Sequence, residues 1–338
     1  MSLQGGGRRE FRYAGGNALL APPERAPIQK TTMDGAADAE AEDAVAGRGK
    51  IAALIALARP YQWLKNGLVL AALVFSQRLF DLRYAAMAAE ATIGFCALSS
   101  IAYIINDIAD READRLNPEK RDRPLASGEL QVRTAVRFAL VLGAIAAVIA
   151  LPLGREFAGV AVLYLALQFA YSLWAKREVV IDVIAVAIGF VLRAFAGGVA
   201  IGVYVSPWLA FITFVLALLL VLGRRRHELI TLGDGATAHR GALAQYSVRL
   251  VDQMISIVAG ATLVSYMIYT ASAEVETKLG TSHLYLTVPF VAFGILRYLY
   301  LIDERNEGGD PARLLLGDKP LLICVILWIA ADLLLLYF

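Results

Sequence analysis

"IINDIADREADRLNPEKRDRPLASGEL", residues 104–130, lies between two long apolar runs. It holds seven acidic and five basic residues and two prolines. Working outward from it, apolar runs recur along a 338-residue chain that is 58% hydrophobic, with only 18% charged residues and a mean hydropathy of +0.60. That composition describes an all-α, polytopic membrane protein whose charges gather where the chain leaves the bilayer. A net charge of +2 gives no basis for a nucleic-acid partner. Cys96 and Cys324 sit inside apolar runs and read as small core hydrophobes, not as a disulfide or metal pair. His227, His239 and His283 are scattered and lack zinc-site spacing.

Nine hydrophobic segments are expected, near 66–80, 85–105, 134–153, 157–174, 180–202, 207–223, 251–272, 284–302 and 320–338. The first is short and is expected to begin nearer Ile51, bent at Pro60. Loops after the even-numbered segments hold 17 Lys and Arg, counting Arg137 at a helix start, and the remaining loops hold 4, counting Arg78 at a segment end. The positive-inside rule therefore places the N-terminus and the even loops in the cytoplasm, in the inner or plasma membrane, with Phe338 outside. Residues 1–49 are Gly-, Ala- and Pro-rich without period and read as a disordered cytosolic tail, not a signal peptide. Residues 50–338 form the membrane domain.

The opening stretch carries N-D-x-x-D-x-x-x-D at Asn106, Asp107, Asp110 and Asp114. At about 100° per residue, the three Asp side chains fall within roughly 60° on one helix face. Each would cost about 2.5–3.5 kcal/mol in the hydrocarbon centre, so they face water or a polar cavity. A lone D-x-x-D reads most simply as a solvated interfacial turn. Here Lys120, Arg121, Arg123 and Pro124 follow at once. Hard oxygen ligands for Mg²⁺ and cations for phosphate then arrive together, as diphosphate chemistry requires.

These residues, with "NPEKRDRPLASG", resemble the UbiA superfamily of intramembrane prenyltransferases over about residues 51–338. That resemblance implies a bundle of nine transmembrane helices with two Asp-rich cytosolic motifs holding a diphosphate through Mg²⁺. Asp107, Asp110 and Asp114 match the first motif. The second, in "YSLWAKREVVID", departs from the usual D-x-x-x-D. It offers Glu178 and Asp182, beside Tyr171 and Lys176.

Four further stretches, "RPYQWLKN" (Lys65, Asn66), "YSLWAKREVVID", "GFVLRAFAGG" (Arg193) and "GRRRHEL" (Arg224, Arg225, Arg226), are similar to one branch of that superfamily, the decaprenyl-phosphate phosphoribosyltransferases. The resemblance implies transfer of 5-phosphoribose from phosphoribosyl pyrophosphate to a polyprenyl phosphate, a step toward the lipid-linked donor of cell-wall arabinan. Such a site holds a diphosphate, a 5-phosphate and a lipid phosphate at once. Lys65, Asn66, Asn106, Lys120, Arg123, Tyr171, Lys176, Arg193, Arg224, Arg225 and Arg226 are the expected substrate ligands. Asp182 is the expected carboxylate beside an oxocarbenium-like ribose. Arg193 lies eleven residues beyond Asp182, on the same face and about 16 Å further into the span. Ordinary membrane anchoring is the plainer reading of Arg224–Arg226, and close helix packing that of Gly189, Gly197 and Gly198. The alternatives are a UbiA-type enzyme attaching a polyprenyl chain from its diphosphate to an aromatic or other small acceptor, and a non-enzymatic transporter or scaffold. The oligomeric state is open, a homo-oligomer included.

Overall fold

A computed structural model describes residues 49–118, 120–232 and 242–338. The expected N-terminal tail (apart from Gly49), Glu119 and His239 lie outside them. Among the described residues all regular structure is helical. The chain runs through α1 (49–58), a 3₁₀ stretch Pro60–Leu70 continuing into α2 (Ala71–Phe75), α3 (Leu82–Ala109), α4 (Arg111–Leu116), α5 (Val132–Leu173), α6 (Ile181–Ala200) and α7 (Pro207–Leu232). It continues through α8 (Val248–Thr270), α9 (Ala273–Leu279), α10 (Val288–Glu304), α11 (Pro311–Gly317) and α12 (Lys319–Tyr337).

Seven helices among the described residues are long and apolar enough to cross a membrane. The difference from the nine expected segments has two physical sources. Segments 134–153 and 157–174 follow each other as the two arms of the 42-residue α5, which meet at a kink where the Gly154 backbone is not helical. Straight, that helix would be about 63 Å long, twice a hydrocarbon core. Gly154, at φ 92 and ψ 172, turns it after Pro152. The two arms fold together against α3: a Cβ on Gly94 would touch both Ile149 and Phe157. The other source is segment 66–80. Pro60 opens a 3₁₀ stretch and only five residues of regular α-helix follow, so no single long helix forms there.

Side chains of the short loops start several helices. Asp81, Ser247, Asp310 and Asp318 each accept a hydrogen bond from the first turn of α3, α8, α11 and α12 respectively. Two apolar cores hold the bundle. One joins α3, α5 and α6 through Phe95, Phe157, Tyr164 and Leu192; the other joins α7, α8 and α10 through Leu219, Val251, Ile255 and Leu301. Leu140, Leu151, Ile257, Leu296 and Leu334 are among many large apolar side chains left on the outside, as a lipid-facing surface requires. Polar side chains collect at the end of the bundle where α3 gives way to α4.

Candidate active site

Helix α3 breaks at Asp110, which caps its C-terminus and begins α4. The break keeps all three expected carboxylates at the polar end and gives each a cation, Arg123 being shared between Asp107 and Asp114. Asp107, only 2% exposed, accepts from Arg59 at 2.5 Å and from Arg123 at 3.1 Å. Arg123 also donates to Asp114 at 2.6 Å. Lys176 pairs with Asp110. Arg59 came from outside the expected ligand set. It sits at φ 53 between α1 and Pro60, and its guanidinium lies 5.1 Å from the Tyr103 ring. In the sequence it stands at the head of "RPYQWLKN", the stretch that supplies the expected ligands Lys65 and Asn66.

Val180 has φ 70, an outlier for a β-branched residue, between Lys176 and Asp182. Strain of this kind concentrates at functional sites. The Tyr246 hydroxyl accepts from the Val180 amide at 2.7 Å and donates to Asp182 at 2.8 Å. Burial pushes the Tyr246 phenol up to about 12, which keeps it a donor. Arg225 closes the other side of Asp182 at 2.7 Å, and also donates to Glu228 at 2.5 Å and to Tyr171 at 3.2 Å. Both oxygens of Asp182 are thus used inside the protein, where it is 1% exposed, and Asp182 lines neither of the two cavities that meet at the carboxylates. Glu178 is exposed, one turn before Asp182, whose amide donates to the Glu178 carbonyl at 3.0 Å.

An inner cavity of about 350 Å³ opens beneath the carboxylates, lined by Lys65, Asn106, Tyr103, Tyr164, Gln168 and Arg193 together with Leu64, Leu68 and Phe190. Arg59, Arg123 and Arg224 line both this cavity and a wider outer one of about 990 Å³, where Asn117, Lys120, Arg305 and Arg313 also sit. Tyr171 and Arg225 reach the inner cavity as well. Arg193 is 5% exposed and donates to Asn66 Oδ1 at 2.9 Å, Gly189 O at 2.9 Å and Tyr164 Oη at 2.7 Å. All three acceptors are neutral. Asp182 and Arg193 therefore share a helix but not an ion pair.

Arg226, next to Arg225, is turned away. It ties α7 to Asp252 of α8 at 2.7 Å and to Asp303 of α10 at 2.5 Å. It lines neither cavity. The stretch "GGDPARLLLGDKP", residues 308–320, holds α11 and joins the site. Asp310 accepts from Gln62 at 2.9 Å, and Pro311, Ala312 and Leu315 wall the inner cavity.

Among the described residues no three His, Cys, Asp or Glu side chains form a ready metal cluster. Arg123 stands between Asp107 and Asp114, and Lys176 holds Asp110. The donor set nonetheless suits a hard cation. Asn106 Oδ1 is buried with no hydrogen-bond partner beside these carboxylates, and every ligand on offer is oxygen.

The profile of the UbiA prenyltransferase family matches residues 66–329. Decaprenyl-phosphate phosphoribosyltransferase of Corynebacterium glutamicum is 34% identical over 287 residues, covering 82% of this chain and 84% of that protein. The enzyme of the same name from Mycolicibacterium smegmatis is 33% identical over 310 residues, covering 88% and 97%. In fold, the chain resembles a UbiA homologue of Archaeoglobus fulgidus bound to GPP and Mg²⁺, with a TM-score of 0.63 at 20% identity over 85% of this chain and all of the other.

Proposed function

The chain belongs to the UbiA prenyltransferase family, and from that membership we propose that it is an integral membrane transferase moving 5-phosphoribose from phosphoribosyl pyrophosphate to a polyprenyl phosphate, decaprenyl phosphate first. The carrying observation is the cationic inner cavity. Arg59, Lys65, Arg123, Arg193, Arg224 and Arg225 line it, and no carboxylate does. A diphosphate, a 5-phosphate and a lipid phosphate must meet in such a reaction, and this wall supplies the charge they need.

Asn106, Asp107, Asp110 and Asp114 would hold Mg²⁺, whose charge would stabilise the departing pyrophosphate. Arg59, Arg123 and Lys176, already seated on those carboxylates, lie where the pyrophosphate oxygens must collect. The glycosidic C1–O bond breaks, its electron pair leaves with pyrophosphate, and a lipid phosphate oxygen bonds to C1. The lipid phosphate is already anionic at neutral pH, so no general base is needed. Asp182 acts as a positioning residue. It fixes Arg225, which fixes Tyr171, at the cavity wall. Leu64, Leu68 and Leu315 offer the apolar side along which a polyprenyl chain approaches. The carboxylate end faces the cytoplasm, on the loop charge pattern.

The test is purified protein in lipid with ribose-labelled phosphoribosyl pyrophosphate, decaprenyl phosphate and Mg²⁺. Label should enter an acid-labile lipid, and EDTA or omission of the lipid should prevent it. Consumption of a polyprenyl diphosphate with a small acceptor instead would make the chain an ordinary prenyltransferase.

A further inference from the structure

Arg193 is not at the level of the carboxylates, and Lys65, next to its partner Asn66 in the chain, shares the inner cavity with it. Asn66, which accepts from Arg193, donates to Ser99 at 3.1 Å. Ser99 is eight residues before Asp107 on α3, about 12 Å deeper along the helix. At that depth Tyr164 packs on Phe95, ring centres 5.2 Å apart, and turns its hydroxyl to Arg193. Among the described residues Lys65 has no hydrogen bond or salt bridge, and none of the hydrogen-bond partners of Arg193 is an anion. Two cations thus stand without a contacting counter-charge on a wall already crowded with cations, the Asp310 carboxylate acting on Lys65 only at longer range. That arrangement is costly unless an anion is bound there.

Given the phosphoribosyl reading, on which this step rests, we infer that Lys65 and Arg193 hold the 5-phosphate of the donor. A phosphoribosyl pyrophosphate is charged at both ends. With its diphosphate at the Asp107 level, its far end points down the same cavity toward this pair. A prenyl diphosphate seated the same way would send hydrocarbon onto two desolvated cations. The pair therefore selects a donor with a second phosphate, and it converts a prenyl-diphosphate fold to a sugar-phosphate donor. Arg193 is pre-aimed, its guanidinium held on three sides by Asn66, Gly189 and Tyr164.

The first experiment is calorimetric binding of ribose 5-phosphate to the full chain in lipid, which needs no turnover. Wild type should bind. Arg193→Gln and Lys65→Gln should each weaken binding about 10- to 100-fold, the value of a charge-assisted contact. Lys65→Gln covers the case in which the arginine variant does not fold, because Lys65 makes no hydrogen bond or salt bridge among the described residues. In steady state both variants should raise KM for phosphoribosyl pyrophosphate and leave KM for decaprenyl phosphate unchanged. A donor lacking the 5-phosphate should be used equally by wild type and variants. A raised KM for the lipid alone would give the pair to the lipid phosphate and overturn the inference. So would wild-type protein that transfers phosphoribose but whose ribose 5-phosphate binding ignores both substitutions. Failure of the phosphoribosyl reading itself would show separately, as no labelled lipid from wild type.

Discussion

Gly197→Ala should disable the site from a distance. A Cβ at Gly197 would lie 1.8 Å from the carbonyl oxygen of Val69 and 2.8 Å from its carbon, whereas ordinary contact begins at 3.4 Å. The obstacle is backbone, so no rotamer change relieves it. Helix α6 and the 3₁₀ stretch must separate by about 1.6 Å, the difference between the two distances. Overpacking of this kind costs about 1–3 kcal/mol, or roughly 2–10 °C in Tm. The displaced segment carries Lys65 and Asn66, four and three residues before Val69, while Arg193 stays on α6. The Arg193–Asn66 hydrogen bond of 2.9 Å should break. A misplacement near 1 Å can cost about 10²-fold in turnover, so kcat/KM for phosphoribosyl transfer should fall by that order. Gly260→Ala on α8, where a Cβ meets nothing within 4 Å, is the control and should hold or slightly raise Tm. Thermal unfolding in detergent and the labelled-lipid assay read both variants. A Gly197→Ala protein with wild-type Tm and turnover would refute the proposed close approach of α6 to the Val69 backbone.

Asp110→Asn should insert and fold yet lose transfer at least about 100-fold, and it should leave Lys176 without its anion; turnover near wild type would remove Asp110 from the chemistry. Asp182→Asn should leave Arg225 buried without its full counter-charge, costing about 3–5 kcal/mol, and Tyr246→Phe added to it should cost little more because both act on one carboxylate. Arg226→Met should lower Tm without changing KM for either substrate, since its partners lie on α8 and α10 and it lines neither cavity. The Arg297 guanidinium bonded to Asp318 holds that carboxyl below the usual carboxylate range. Its contribution is therefore present above the unfolded pKa and is lost as pH falls through the folded one. Asn at 318 keeps the α12 cap but not the ion pair, so the Tm gap between wild type and Asp318→Asn should narrow from about pH 5 to pH 3. A gap independent of pH would mean that the pair contributes nothing.

The sequence by itself determined the membrane class and most of the long helices, because hydropathy is summed over a local window and α-helices satisfy their own backbone. It also located the carboxylate cluster and the basic residues near it, because a charged stretch between apolar runs has only one place to go. It also placed the break between 153 and 157, where Gly154 turns α5 back; it did not show that the first segment is largely 3₁₀, since that depends on what the neighbouring helices admit. Only the tertiary structure paired the charges. Arg59 reaches Asp107 across 48 residues, Lys176 reaches Asp110 across 66, and Arg193 reaches Asn66 across 127. Adjacent arginines received opposite duties: Arg225 braces Asp182 at the cavity wall, while Arg226 ties α7 to α8 and α10. The two differ by one residue, about 100° around a helix, and what lies in each direction is decided by elements far away in the chain.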